Sequence, residues 1–282
     1  MSRYLRPGDV DEAVELLGSD AALRVVAGGT DVYPSLGEAA VRASFLDIAR
    51  IPGLRGITRD GDGVWRIGAA TTWSDVVRAP LPGFFDGLKQ AGREVGAIQI
   101  QNVGTLAGNV VNASPAADGT VALMALDARV EIAGPGGRRT ADLANFVTGV
   151  RRVDLRPGEI VVALIVPDRP ATSRASFVKL GARRYLVISI AMVCAVVDRD
   201  EAGAIARAAV AVGACSPVAR RLPALEARLV GLPLAAAPEA VRADDADGLA
   251  PIDDVRAPAA YRREAALTLV RRALAACSEP DR

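Results

Sequence analysis

The sequence has no histidine, three cysteines and only 4% aromatic residues in 282 positions. Without imidazole there is no Ser-His-Asp triad, no histidine general base and no ordinary zinc site. Cys194, Cys215 and Cys277 lie far apart with no CxxC spacing. Alone they cannot hold an iron–sulfur cluster, and they read as buried free thiols. No sign of charge dominates either, since 34 Lys+Arg against 33 Asp+Glu leave a net +1. Such a chain has no global field to draw in nucleic acid or an acidic membrane. Adjacent arginines recur, Arg151-Arg152 among them, but acids stand between the pairs, and solvated faces account for most. No apolar run approaches the ~20 residues of a membrane span, and the start, MSRYLRPGDVDEAVELL, lacks an apolar signal core. A cytoplasmic protein without membrane insertion is expected.

What is present suits a substantial core, with 51% hydrophobic residues and a length that suggests roughly two domains. DVDEAVELLGSD carries Val10, Ala13, Val14 and Leu17 on one helical face, with Gly18 as a stop. LRVVA and FLDIARIPGL read as short strands, so helix and parallel-type strands alternate at the start. GVWRIGAATTWSDVV is a strand entering a helix, with Thr72 and Asp75 spaced as a capping box. FFDGLKQAGREVG is helical, and IQIQNV is an apolar strand-like run. Ser114-Pro115 reads as the N-cap and first turn of a helix through Leu126, and ARVEIAGPGGRRTA as a hairpin. The Pro/Ser/Thr-rich stretch from Pro167 to Arg174 is the expected domain boundary. Beyond it SFVKL, LVISIAMVCAVVD and AIARAAVAVGA read as an antiparallel sheet, followed by helices in PVARRLPALEARLVG and APAAYRREAALTLVRRALAACSE. In the last of these Leu267, Val270, Leu274 and Cys277 form one buried stripe.

Two glycine-bearing turns carry the chemistry. One is Ala27-Gly28-Gly29-Thr30-Asp31, and the other is Asn102-Val103-Gly104-Thr105-Leu106-Ala107-Gly108-Asn109. Glycine weakens strands and helices, so such a pair serves backbone shape or clearance. A tight turn explains each one singly. Together they suggest successive backbone N–H groups converging on a diphosphate, with threonine and asparagine as neutral donors. Neither turn is a GxGxxG fingerprint or a GxxxxGK[ST] loop.

VVAGGTDVYPSL, RIGAATTWSDV, IQIQNVGTLAGNVVNASPAADGTVALMALDA and LRPGEIVVALIVP together resemble the FAD-binding medium subunit of the molybdenum hydroxylases, the xanthine dehydrogenase and carbon monoxide dehydrogenase family. AYRREAALTLVRRAL is similar to the end of the flavoprotein C-terminal domain in those subunits. The resemblance implies an α+β fold. Residues 1–168 would form a two-subdomain FAD-binding (PCMH-type) module, divided at about 58/59. Residues 169–282 would form a smaller C-terminal domain with a mainly antiparallel sheet and helices. It implies FAD lying between the subdomains on two turns. The first is Val25, Val26, Ala27, Gly28, Gly29, Thr30, Asp31 and Val32. The second is Thr105, Leu106, Ala107, Gly108 and Asn109, with Ala107 where the family usually has glycine.

Asp118 matches a cofactor-contacting aspartate, though a first-turn acid on a helix dipole, typically ~0.3–1 kcal/mol, also explains it. Val161 and Lys179 match positions against the flavin. Lys179 reads equally as an exposed strand-end charge. Val95 and Ile188 match apolar residues close to the ring, and ordinary core packing explains them almost as well. A carboxylate beside a diphosphate is repelled, so the Asp31 side chain is expected to turn away and cap the following backbone. Trp65 and Trp73 are expected in the core or an interface. No catalytic side chain and no metal ligand is assigned to the chain.

The resemblance further implies two partners, a large molybdopterin-binding subunit and a small [2Fe-2S] subunit, with electrons leaving through FAD to NAD, oxygen or a quinone. A stand-alone FAD oxidase or dehydrogenase is an alternative, weakened because no histidine is present for covalent flavin linkage. A cofactor-free assembly scaffold is another.

Overall fold

In the computed structural model, residues 2–37 and 42–278 are described. The strands are β1 (Tyr4–Leu5), β2 (Leu23–Val26), β3 (Ser44–Asp47), β4 (Ile57–Arg59), β5 (Trp65–Gly68), β6 (Arg129–Gly134), β7 (Gly137–Asp142), β8 (Val147–Gly149), β9 (Arg152–Val153), β10 (Ile160–Val166), β11 (Arg174–Leu180), β12 (Ala191–Arg199), β13 (Ile205–Gly213) and β14 (Arg220–Arg221). The α-helices are α1 (Val10–Ser19), α2 (Val32–Leu36), α3 (Trp73–Arg78), α4 (Asp86–Glu94), α5 (Ile98–Val103), α6 (Leu106–Val111), α7 (Asp118–Ala125), α8 (Leu143–Phe146), α9 (Pro223–Leu229) and α10 (Ala259–Ala276).

The fold is α+β. A small parallel sheet has the order β1-β3-β2, and an antiparallel sheet follows in the order β4-β5-β10-β6-β7. A second antiparallel sheet, β11-β12-β13-β14, belongs to the C-terminal part. Its strand β12 is apolar almost throughout because both faces are covered. Ala191, Val193, Ala195 and Val197 face α9 and α10, while Met192, Cys194 and Val196 face α7. Helix α7 is buried along its whole length, wedged between the two antiparallel sheets. Strand β10 is likewise two-sided. Ile160 and Val162 pack under the small sheet, and Val161 and Leu164 in the central core, across a register shift between Val161 and Ala163.

Local signals set many boundaries. Asp9 caps α1 by accepting from the Glu12 N–H at 2.8 Å. Thr72 and Asp75 form the reciprocal capping box at α3. Several expectations are corrected. IQIQNV is helix α5 rather than a strand, because its period-two apolar residues find no neighbouring strand and Ile98, Ile100 and Val103 remain exposed. Helix α7 starts at Asp118 after Ala117, which supplies no side-chain cap; Ser114 instead accepts from the Ala116 N–H in a tight turn. Gly18 lies inside α1, which ends at Ser19. Residues 186–189 precede β12, and Arg220–Arg221 extends the sheet beside β13 before α9 begins. No helix among the described residues is long and apolar enough to cross a membrane.

Candidate functional site

Strand β2 runs into the Gly28-Gly29 turn, and this turn lies on the junction of α5 and α6. A Cβ on Gly28 would sit 2.0 Å from the Val103 carbonyl oxygen. Gly28 is therefore required for clearance between two backbones. Gly29 serves the other purpose, with φ +70°, a left-handed conformation that L side chains rarely adopt. At the facing turn Thr105 caps α6, its hydroxyl accepting from the Gly108 N–H at 3.0 Å. The Asn109 side-chain oxygen accepts from the Gly119 N–H at 3.1 Å, tying α6 to the start of α7.

Between these turns opens a cleft of about 590 Å³. Of the residues read from the sequence, Val25, Ala27, Gly28, Gly29, Thr30, Asp31 and Val32 line it from one side. Thr105, Ala107, Gly108, Asn109 and Asp118 line the facing wall. Val95, Val161, Lys179 and Ile188 also reach it. Val26 and Leu106 do not, being buried at 2% and 0% exposure. Trp73 is buried and contributes to the lining, while Trp65 stands outside it, donating to Asp168 and packing edge-on against Phe85. Asp31 does not cap α2 through its side chain; the carboxylate sits at the N-cap position without that hydrogen bond.

The donors suit a dinucleotide diphosphate. The backbone N–H groups of Gly28, Gly29, Thr30, Asp31 and Ala107 make no hydrogen bond among the described residues. Glycine is also what the packing of both turns needs, since a Cβ at Gly28 would strike the Val103 backbone and one at Gly108 would lie 2.7 Å from the Thr105 hydroxyl. Unpaired backbone amides that converge on an anion bind phosphate oxygens without formal charge. FAD fits this donor set.

Deeper in the cleft, Asp118 and Lys179 form an ion pair at 2.7 Å, with side chains only 6% and 9% exposed. Ser189 donates to the other Asp118 oxygen at 3.0 Å. Lys179 is thus no exposed strand-end charge, and Asp118 is more than a helix-dipole acid. Burial pushes the Asp118 carboxyl above its ordinary value, opposed by Lys179 and Ser189, with the nearby Glu94 charge adding to the rise. The three cysteines lie outside the cleft, each free and buried. Burial pushes the Cys215 thiol up to about 11 and Cys277 up to about 12, and also raises Cys194. None is an activated nucleophile.

Reading the sequence missed Arg151, Asn112 and Ser114, which line the cleft at the far end of α6. Only the RR pair at 151–152 marked the first of them, and pairs of that kind recur along the chain.

The family described as the FAD binding domain in molybdopterin dehydrogenase matches residues 1–169. The CO dehydrogenase flavoprotein C-terminal domain matches residues 176–277. The carbon monoxide dehydrogenase medium chain of Hydrogenophaga pseudoflava is 32% identical over 277 residues, covering 96% of this chain and 95% of that one. The nicotine 6-hydroxylase medium subunit of Paenarthrobacter nicotinovorans is 28% identical, with 96% and 95% covered. Among solved structures, a chain of carbon monoxide dehydrogenase from Hydrogenophaga pseudoflava superposes with TM-score 0.87 at 29% identity, covering 98% of this chain and 96% of that one. Quinoline 2-oxidoreductase from Pseudomonas putida 86 shares the fold, with TM-score 0.86 at 24% identity and coverage of 98% and 96%. With the cleft, its free amides and both matches in agreement, the chain belongs to the FAD-binding flavoprotein subunits of the molybdopterin dehydrogenases, a family of oxidoreductases with FAD as the cofactor of this subunit.

Proposed function

We propose that the chain is the electron-exit subunit of a molybdenum hydroxylase, passing electrons from partner iron–sulfur clusters through FAD to a terminal acceptor. The partners in this reading are a large molybdopterin-binding subunit and a small [2Fe-2S] subunit. The acceptor is NAD, oxygen or a quinone. Residues 1–168, in subdomains of about 1–58 and 59–168, would hold the FAD, and residues 169–282 would close the cleft with Lys179.

The observation that carries the reading is the set of unpaired amides at Gly28–Asp31 and Ala107, in residues that line one cleft from two chain segments. These amides, with Thr105 and Asn109, would hold the diphosphate. Asp118, Val95, Val161 and Lys179 would lie along the rest of the cofactor. FAD supplies the redox chemistry, while the protein supplies orientation and electrostatics. The buried Asp118–Lys179 pair fixes the Lys179 ammonium at the cleft wall. A chain without histidine, whose three thiols are buried, suits a division of labour in which substrate oxidation happens on another polypeptide.

Copurification of the chain with its native partners, followed by flavin and metal analysis, tests the proposal. One FAD per copy of this chain is expected, with molybdenum only in fractions that contain the large partner. Molybdenum on the isolated chain, or a colourless chain beside a flavin-loaded partner, would overturn it.

A further inference from the structure

The charges around the cleft do not balance evenly. Its acidic lining residues are Asp31, Glu94, Asp118 and Glu159, and its basic ones are Lys179 and Arg151. Lys179 is neutralised by Asp118, and Glu159 is paired with Arg139 from outside the cleft. Arg151 has no carboxylate partner among the described residues. Its guanidinium donates only to the neutral Asn112 side-chain and backbone oxygens. Among the described residues Arg151 therefore provides the cleft's unpaired positive side chain.

Its backbone is set for that position. Arg151 occupies the turn between β8 and β9 at φ +57°, in the left-handed region. Its N–H donates at 2.9 Å to the carbonyl of Ala113, itself at φ +46°. Two residues in a sparsely populated conformation thus lock the hairpin turn to the end of α6.

Position along α6 sets the guanidinium apart from the unpaired amides. Unpaired amides crowd the N-terminal end, at Ala107, and Arg151 is bound at Asn112, roughly 8 Å further along the helix axis. FAD offers two anionic groups, the diphosphate and the isoalloxazine once reduced. We infer, on the FAD-binding reading above, that Arg151 is a positioning cation for the reduced isoalloxazine, meeting the one negative charge that two electrons and one proton leave on the ring. The electrons come from the partner reductant and leave to the acceptor, so Arg151 gains and loses no proton. Its contribution is to make reduced FAD bind more tightly relative to oxidised FAD, which raises the flavin potential.

The test compares the wild-type chain with Arg151→Gln and Arg151→Lys, titrating bound FAD with dithionite against reference dyes. Affinity for oxidised FAD is measured in parallel, and thermal unfolding confirms that each variant is folded. Arg151→Gln should hold oxidised FAD within about twofold of wild type while losing about tenfold of its preference for the reduced form. Tenfold corresponds to a potential lower by about 30 mV for a two-electron couple. Arg151→Lys should recover most of that shift. An unchanged potential in a folded, yellow Arg151→Gln protein overturns the inference. So does weakened oxidised-FAD binding at constant potential, which would place the guanidinium on the diphosphate. A wild-type chain that takes up no FAD sinks the functional reading instead, and is recognised before any variant is compared.

Discussion

Gly28 shows how a single absent methyl shapes this protein. The Val103 carbonyl approaches so closely that an added Cβ would lie 2.0 Å away, and the obstacle is backbone, which cannot swing aside. Gly28→Ala should push the two turns apart, lowering stability by about 1–3 kcal/mol, the usual cost of overpacking. It should also release FAD, read as a drop in the flavin-to-protein absorbance ratio and in Tm. Gly18 gives the contrast, since it lies inside α1 with nothing within 4 Å of an added Cβ. Gly18→Ala should stabilise the chain by roughly 0.5–1 kcal/mol through reduced backbone entropy. Equal effects of the two substitutions would refute the clearance argument. From the sequence Gly18 read as a helix stop and Gly28 as a turn glycine, with no sign of which one a methyl would disrupt. The approach of Val103, 75 residues away along the chain, decides it.

At the scale of elements, α10 is held at its first turn by a buried arginine. Arg262 donates to the carbonyls of Ile190 at 2.7 Å and Ala214 at 3.2 Å, joining the helix to the ends of β12 and β13. Asp254 accepts from the same guanidinium at 2.6 Å and from the Arg256 backbone N–H at 2.8 Å. The Arg256 amide and Arg262 together hold the Asp254 carboxyl down at about 2. An unfolded aspartate titrates at about 3.9. The stabilisation it brings is complete above about pH 4 and disappears as the pH falls towards 2, because only the unfolded chain takes up the proton in that window. Asp254→Asn should therefore be less stable than wild type at pH 6, with the gap in urea midpoint closing by pH 2. A gap independent of pH would remove Asp254 as its source. The buried stripe of α10 was visible in the sequence, and Val270, Leu274 and Cys277 do lie in the core, with Leu267 partly buried at its margin. Helix α5 was not visible. Six residues carry too little periodicity to separate helix from strand.

Over the whole molecule, the two matched regions are joined by a polar cluster around the chain that links them. Arg169, its side chain 1% exposed, pairs with Asp198 of β12 at 2.9 Å and with Asp127 just after α7. Asp127 also accepts from Arg207 at 2.8 Å and Arg221 at 2.7 Å, so one carboxylate gathers three arginines from the C-terminal half and the linker. Arg169→Ala leaves Asp198 buried without its charge partner, and removing one member of a buried pair typically costs about 3–5 kcal/mol. Calorimetry should show a lower Tm, and limited proteolysis should cut first between β10 and β11. Wild-type resistance to cleavage would mean the core around α7 alone holds the halves together.

The sequence alone determined what the chain cannot do and what it resembles: its composition excludes imidazole chemistry, and its contiguous motifs identify the FAD subunit family. It also displayed the antiparallel sheet of β11, β12 and β13, because their apolar runs lie in the residues themselves. Tertiary structure decided which carboxylate and ammonium neutralise each other, since Asp118 and Lys179 are brought together from 61 positions apart. It likewise decided that, among the described residues, Arg151 rather than Lys179 is the cleft cation left without an acid. Charge balance depends on distances across the fold, and no local pattern records them.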